Sequence, residues 1–375
     1  MRKTNLAMAF SDEQAMILDS AKAFCSDKST IAAVRNLLDS ETGFNPQVWQ
    51  EMVALGWTGI AIPEEYGGLN LGVGALVPLV ETMGRHLLGT PLISSALTAQ
   101  AILRSGTESQ RAAWLPALAD GAAGALALLD NVDWGGDFSG CTVSGSGDNL
   151  TLTGRKLMVA DGAVSDLFVV SASHAGQPVL VLVEAKQLPA GALESKTLID
   201  ETKRACNVDF SGVTVTSSAL LTPSASTLHE LRLIGALLTA AEATGTAAAA
   251  LDLIVSYLTT RVQFGRLIGS YQALKHPTVE ILLQMDAARS LIYHAATLIG
   301  DCPIDSNTEI ACRMAKAQAT EALLFAGDRA VQFHGGMGFT YDCDAQLYIR
   351  RAQWAQHQYG DAQHHRRKLA DLLLD

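Results

Sequence analysis

The sequence predicts a multidomain α+β protein: an N-terminal helical domain over residues 1–120, a middle antiparallel β-barrel domain over 121–223 and a C-terminal four-helix bundle over 224–375. Apolar residues recur at helical spacing near both ends of the chain, whereas the middle consists of short β-branched runs separated by turn residues. A length of 375 residues with 49% hydrophobic content also suffices for several buried cores.

Local signals predict the individual elements. In the first domain, helices are predicted over residues 44–56 and 107–121, both ending at a glycine. Strands are predicted over residues 141–144, 149–154, 167–171, 179–183 and 208–216, and long helices over residues 228–260, 271–300, 307–333 and 344–374. No G-x-G-x-x-G follows a predicted strand, which argues against a Rossmann nucleotide site.

Composition narrows the classes of function. A formal net charge of −11 argues against nucleic-acid binding. Polar residues, Glu242 and Asp252 among them, interrupt the most apolar helix, and the N-terminus lacks a signal-peptide pattern, so we expect a cytoplasmic protein that does not span a membrane. The six cysteines have no metal-ligand spacing, so no metal site is expected, and a mean hydropathy of +0.19 favours apolar contacts between subunits.

Residues 261–276 combine groups that suit an extended, anionic, aromatic ligand. Arg261 can bind a phosphate, Phe264 offers a ring for stacking, and Gln272 can both donate and accept hydrogen bonds. Glycines within the stretch allow backbone to approach a ligand closely. Arginine and glutamine near a helix end are also common as solvated caps, so this stretch alone does not define a site.

A second segment, residues 330–340, contains Q-x-H-G-G-x-G-F-T beginning at Gln332. Together with R-x-x-F-G-x-x-I-G-x-x-Q, which begins at Arg261, it resembles the C-terminal motifs of the acyl-CoA dehydrogenase flavoproteins. Residues 56–68 resemble that family's turn between its early helices, whereas the resemblance weakens in the middle of the chain.

The resemblance implies binding of FAD and of an acyl-CoA substrate, removal of hydrogens from Cα and Cβ of the acyl group, and electron-transfer flavoprotein or a similar acceptor as a partner. In the family, the flavin-contacting residues of this part of the chain reach the adenine and pyrophosphate of an FAD held mostly by a neighbouring subunit. At the matching positions they are Arg261, Phe264, Gln272, Gln332, Gly335 and Gly336.

The family's residues around the flavin ring and its catalytic glutamate are replaced in this chain. Residues 128–139 stand where relatives carry T-E-P-x-x-G-S-D, and Met158 and Ala160 replace a tryptophan and a threonine. Tyr359 stands at the usual position of the glutamate, and Gly235 at its alternative position on the first bundle helix.

A tyrosine with a pKa near 10 is a poor base at neutral pH, so other carboxylates come into question. Asp361 lies two residues after Tyr359, although it would serve equally well as a helix N-cap. Glu242 lies seven residues after Gly235, on nearly the same helix face but about 10 Å further along.

These features lead to the hypothesis that the chain is the glutamate-lacking subunit of an α2β2 acyl-CoA dehydrogenase, resembling enzymes of steroid side-chain breakdown, in which the homologous partner subunit carries the base. Two alternatives stay open. One is a self-sufficient homo-oligomer that uses Asp361, Tyr359 or Glu242 as the base. The other is a non-catalytic thioester-binding homologue without flavin.

Overall fold

The computed structural model describes residues 12–131, 134, 140–300 and 303–374. The helices before the strands are α1 Asp12–Lys28, α2 Ile31–Leu37, α3 Pro46–Ala54, α4 Leu76–Arg85, α5 Leu92–Ser105 and α6 Glu108–Ala119. The strands that follow are β1 Gly124–Ala127, β2 Thr142–Ser146, β3 Asn149–Thr153, β4 Arg155–Ala160, β5 Leu167–His174, β6 Gln177–Glu184, β7 Leu193–Ser195, β8 Ala205–Asp209, β9 Val213–Val215 and β10 Leu220–Leu221.

The C-terminal part of the chain is helical except for one short hairpin. Its elements are α7 Thr227–Leu258, β11 Val262–Gln263, β12 Arg266–Leu267, α8 Gln272–Leu298, α9 Ser306–Phe333, α10 Ala345–His357 and α11 Ala362–Leu374. The order of helices, then sheets, then helices confirms the predicted fold class.

Two sheets pack around the core of the β domain, which contains the edge-to-face pair Phe168 and Phe210. One sheet has the order β10-β6-β5-β2-β3-β9 with β1 beside β5, and the other has the order β4-β8-β7. Most neighbouring strands are antiparallel, but β1 and β2 each pair in parallel with β5. The sequence analysis missed β1, β4, β7 and β10, and the strand predicted over residues 208–216 is two strands, β8 and β9, in different sheets. In β1, Gly-Ala-Leu-Ala lacks β-branched residues, and its strand state depends on pairing with β5.

The central bundle helix α7 packs closely against α4 because glycines remove the side chains between them. A Cβ atom at Gly245 would lie 1.8 Å from the carbonyl oxygen of Glu81, and one at Gly84 would lie 2.1 Å from the carbonyl oxygen of Glu242. Among the described residues, α7 is the one helix long and apolar enough to cross a membrane by length and composition alone. Its apolar stretch is wholly buried inside the protein.

The prediction of a single fourth bundle helix over residues 344–374 is wrong, because this segment forms two helices, α10 and α11. The break lies where Tyr359 (φ 57°) and Gly360 (φ 100°) adopt left-handed backbone conformations. Glycine is required at 360, because a Cβ atom there would lie 2.7 Å from the His364 ring. This turn places the Tyr359 side chain in the interface between the bundle and the β domain.

Candidate functional site

The hairpin β11–β12 projects the sequence motif that begins at Arg261 away from the bundle. Its two central residues, Phe264 (φ 54°) and Gly265 (φ 77°), both have positive φ, as a tight two-residue hairpin turn requires. The backbone of Phe264 is therefore in an unfavourable conformation, and its ring is 93% exposed. A strained residue that presents an exposed ring suggests a ligand or a partner that this chain alone does not supply.

Beside the hairpin lies a groove of about 470 Å³, which we call the outer groove. Its lining residues are Tyr257, Arg261, Gln263, Phe264, Ile268, Tyr271, Ala273, Leu274, Phe333, His334, Gly335 and Gly336. The structure thus brings together four of the six predicted flavin contacts, from two motifs distant in sequence. Gln272, the first residue of α8, and Gln332, near the end of α9, are exposed but do not line the outer groove.

Among the outer-groove residues that were not selected from the sequence are Tyr257 and His334. Their rings stack, with centroids 4.1 Å apart and an interplanar angle of 25°. His334 lies within the Q-x-H-G-G motif, and Tyr257 lies one helical turn before Arg261, whose backbone N–H donates to the Tyr257 carbonyl. The sequence motif includes His334, but the contact of His334 with α7 is visible only in the fold.

A second region, which we call the inner cleft, lies between the β domain and the bundle. It contains Met158, Ala160 and Tyr359, which stand at the positions of the family's tryptophan, threonine and glutamate. Met158 has a positive φ of 51°, at an irregularity in the pairing of β4 with β8. Met158 and Trp134 pack into one apolar cluster, together with Leu126, Leu128, Leu129 and Leu228. Within the segment 128–139, the structure describes residues 128–131 and Trp134, and the rest lies outside the described residues.

The two alternative positions of the family's base meet inside the inner cleft. A Cβ atom at Gly235 would lie 2.5–2.7 Å from three carbon atoms of the Tyr359 ring. The opposite contact is Trp134, whose ring centroid is 4.4 Å from that of Tyr359. Burial, and secondarily the charge of Asp161, raises the pKa of Tyr359 well above its usual value of 10. The phenol therefore stays protonated at neutral pH and is poorly suited to accept a proton.

The turn that carries Tyr359 is held by a buried lysine and by a helix cap. Lys316 is fully buried and donates to the carbonyls of Gly360 at 2.9 Å, Ala355 at 3.1 Å and Gln356 at 3.4 Å. Burial lowers the pKa of Lys316 to about 7. Asp361 accepts the backbone N–H of His364 at 2.7 Å, so its carboxylate caps the start of α11.

Glu242, the other candidate base, lies in a buried ionic cluster. Its carboxylate is 2.5 Å from Lys203 Nζ and 3.0 Å from Arg351 Nη1, and its side chain is 5% exposed. Burial alone would raise its pKa, but Arg351 and then Lys203 outweigh that effect and lower it. Arg351 also pairs with Asp200 and bonds Thr202 of the loop between β7 and β8. Glu242 is thus an ionised structural partner of two cations.

One small cavity lies among these groups in the described part of the chain. A cavity of about 60 Å³ lies between Ser94, Asp161, Lys203, Glu242 and Tyr359. This volume holds a few water molecules and not an acyl chain or a flavin ring. The Asp161 carboxylate accepts a hydrogen bond from the Ser94 hydroxyl, and burial raises the pKa of Asp161 to about 6. Among the described residues, no group of three or more His, Cys, Asp or Glu side chains could hold a metal ion.

The order of helical, β and helical domains, with an outer groove of this composition, defines a flavin-dependent dehydrogenase of the kind that acts on acyl thioesters. Models of the acyl-CoA dehydrogenase N-terminal and C-terminal domains match residues 11–122 and 229–374. The chain belongs to the acyl-CoA dehydrogenase family. Members of this family bind FAD and act on CH–CH groups of acyl-CoA, in agreement with our predictions of family, activity and cofactor.

Individual relatives match over nearly the whole chain. Acyl-CoA dehydrogenase IpdE2 of Mycolicibacterium smegmatis is 28% identical over 361 residues, which cover 96% of this chain and 98% of the relative. The solved structure of a variant of the Tcur3481-Tcur3483 steroid ACAD is 30% identical, covers 96% of this chain and 98% of its own, and has a TM-score of 0.85. The ChsE4-ChsE5 complex from Mycobacterium tuberculosis shares the fold, with 22% identity, coverage of 98% of each chain and a TM-score of 0.88.

Proposed function

We propose that this chain is the base-lacking subunit of a hetero-oligomeric acyl-CoA dehydrogenase. The observation that carries the proposal is the contact in the inner cleft, where the Tyr359 ring fills the space beside Gly235. The exposed outer groove supports it, because its arginine, rings and glycines form half of a site. In this assembly the homologous partner subunit holds most of the FAD and supplies the proton-accepting carboxylate.

The described residues of the outer groove fit FAD, whereas those of the inner cleft do not. In the outer groove, Arg261 suits a phosphate and Phe264 suits an aromatic ring, and the volume lies within the usual range for ligand pockets. In the inner cleft, Trp134 and Met158 both pack against Leu128 and Leu129, and Met158 stands where the resemblance places the family's tryptophan. When bound, FAD accepts the hydride removed from the acyl thioester. The contribution of this chain is to bind and orient the partner's FAD.

The relatives favour a particular kind of substrate. One solved structure at 30% identity is named a steroid ACAD, so we place a bulky, ring-bearing acyl-CoA at the partner's site. We further propose a cytoplasmic location and an electron-transferring flavoprotein, or a similar protein, as the acceptor.

The test is to purify the chain alone and together with a homologue that carries the glutamate, and to record flavin absorbance of each. We expect no FAD with the chain alone. For the assembly we expect roughly one FAD per pair of chains, since this chain contributes only the outer-groove half of a site. A full flavin complement reduced by acyl-CoA in the isolated chain contradicts the proposal.

Replacement of Tyr359 by phenylalanine tests the relocated-base alternative. In the assembly we expect turnover to stay within about two-fold of the unmodified protein, because the protonated phenol takes no part in proton transfer. Loss of flavin reduction with FAD still bound would instead assign the base to Tyr359.

A further inference from the structure

The loop between β7 and β8 contains five consecutive residues, 200–204, that bind three other parts of the protein, and we call them the linking loop. The Asp200 carboxylate accepts the backbone N–H of Thr202 at 3.0 Å and its hydroxyl at 2.6 Å. The Asp200 carbonyl accepts the backbone N–H of Lys203 at 3.1 Å. These bonds make the linking loop one compact turn, so its side chains leave a shared backbone framework.

The first contact of the linking loop is with the bundle. The Arg351 guanidinium of α10 is fully buried and binds the Asp200 carboxylate and the Thr202 hydroxyl. Lys203 binds Glu242 of α7 at 2.5 Å, and Glu242 in turn lies 3.0 Å from Arg351. Because these charges are largely buried, the departure of one leaves the others without a partner, which is costly.

The second contact is with the turn that follows the Q-x-H-G-G motif. Glu201 lies 2.8 Å from Arg350 and accepts a hydrogen bond from the Tyr341 hydroxyl. The Arg350 guanidinium also lies 5.1 Å from the centre of the Tyr341 ring. Tyr341 comes five residues after Gly336, which lines the outer groove. Glu201 therefore links the linking loop to the segment that supplies one side of that groove.

The third contact is with the N-terminal domain. The Arg204 guanidinium donates to the carbonyls of Leu37 at 3.0 Å, Leu38 at 2.8 Å and Ser40 at 2.6 Å, at and just after the end of α2. Carbonyls at the end of a helix have no partner within the helix, so the guanidinium satisfies them. Arg204 also donates to the carbonyl of Glu201 at 2.6 Å. One side chain thus joins α2 to the residue that makes the second contact.

We propose that the linking loop is a conformational device whose three contacts open and close together, so that loosening one loosens the others. The compact turn and the bond from Arg204 to Glu201 carry this inference, because displacement at one contact moves the backbone that places the next. The device fixes the N-terminal domain, the inner cleft and the outer-groove segment relative to one another. It involves neither FAD nor a partner subunit, so its test is separate from that of the proposed function.

The experiment measures amide hydrogen exchange of the full chain by mass spectrometry in two segments. Residues 36–43 report the contact made by Arg204, and residues 338–344 report the contact made by Glu201. In Glu201→Gln, which leaves Arg204 in place, we expect exchange about ten-fold faster in 338–344 and about three-fold faster in 36–43. In Arg204→Gln the order of the two effects reverses, and both segments again exchange faster.

Glu194→Gln, at an exposed glutamate of β7 that pairs with Arg155, is the matched control and leaves both segments unchanged. Residues 142–153, which form β2 and β3, report the general stability of the chain and keep their exchange rate in all three variants. Faster exchange confined to the segment beside each substitution shows independent contacts and overturns the proposal. Unchanged exchange in both segments, or an equal rise in residues 142–153, overturns it as well.

Discussion

The outer groove and the inner cleft differ in how each treats its aromatic residue: the ring of Phe264 is exposed, whereas the ring of Tyr359 is partly buried against other side chains. In the outer groove, Phe264 is held in a left-handed conformation with its ring 93% exposed. In the inner cleft, Tyr359 is also left-handed, but its ring packs against Trp134 and Gly235. Under the proposed function, the comparison teaches that one chain can carry the half of a shared site that serves a neighbour without the half that would serve itself.

The largest expected effect concerns the ionic cluster that closes the inner cleft. Glu242→Gln leaves Lys203 and Arg351 buried without their shared anion, so we expect the free energy of unfolding to fall by about 3–5 kcal/mol in urea denaturation. The control is Glu194→Gln in the exposed pair with Arg155, which should cost less than about 1 kcal/mol. An unchanged fold with lost turnover of the assembly would point to Glu242 as the base.

The next effect is the pH dependence contributed by Lys316 beneath the Tyr359 turn. The unfolded chain binds this proton up to the ordinary pKa of 10.5, and the folded chain only up to about 7. The unfolded state therefore binds more protons between these values, so the free energy of unfolding rises with pH there, by at most about 1.4 kcal/mol per pH unit from this group.

Urea denaturation at pH 7, 8 and 9 should show this rise in the unmodified chain and a smaller one in Lys316→Met. Lys368→Met, at an exposed lysine, is the control and should behave as the unmodified chain. Identical slopes for Lys316→Met and the unmodified chain would show that the buried ammonium keeps its proton throughout.

A smaller effect is expected at the contact between Gly235 and Tyr359. Gly235→Ala places a methyl group against the ring, which costs about 1–3 kcal/mol, partly offset by about 1 kcal/mol of helix propensity. In a Tyr359→Ala background the same change should be neutral or stabilising. If urea denaturation gives the same cost in both backgrounds, the ring does not occupy that space.

The smallest effect on stability, with a clear effect on assembly, is expected at the hairpin. Phe264→Gly removes an exposed ring and relieves a positive φ, so the isolated chain should be as stable as before or slightly more so. The affinity of the assembly for FAD should fall by about ten-fold or more, measured by flavin titration. Met16→Ala, at an exposed residue of α1, should leave that affinity unchanged.

Much of the architecture could be predicted because its signals are local. The first bundle helix, predicted over residues 228–260, is Thr227–Leu258, since a long apolar periodicity ends at a polar turn. The gathering of Arg261 and Gly335 in one groove followed from a paired motif. The parallel strand β1 and the turn at Tyr359 could not be predicted, because each depends on partners far away in sequence.

The same limit applies to the site. The resemblance to the family implied that the base is replaced at both positions, but not that Gly235 and Tyr359 touch. It contained His334 in a motif, but not the stacking on Tyr257 or the carbonyl that orients the ring. Replacements are visible residue by residue, whereas the closure of a cleft is a property of pairs.

The contact between Gly235 and Tyr359 has an evolutionary consequence. While the ring is in place, a side chain at position 235 meets it, so a carboxylate cannot be introduced there by one mutation without a clash. The aromatic residue must be lost first, in a step that by itself brings no base. The order of events is therefore constrained like a ratchet, and the dependence of such a chain on a catalytic sister, once established, is hard to reverse.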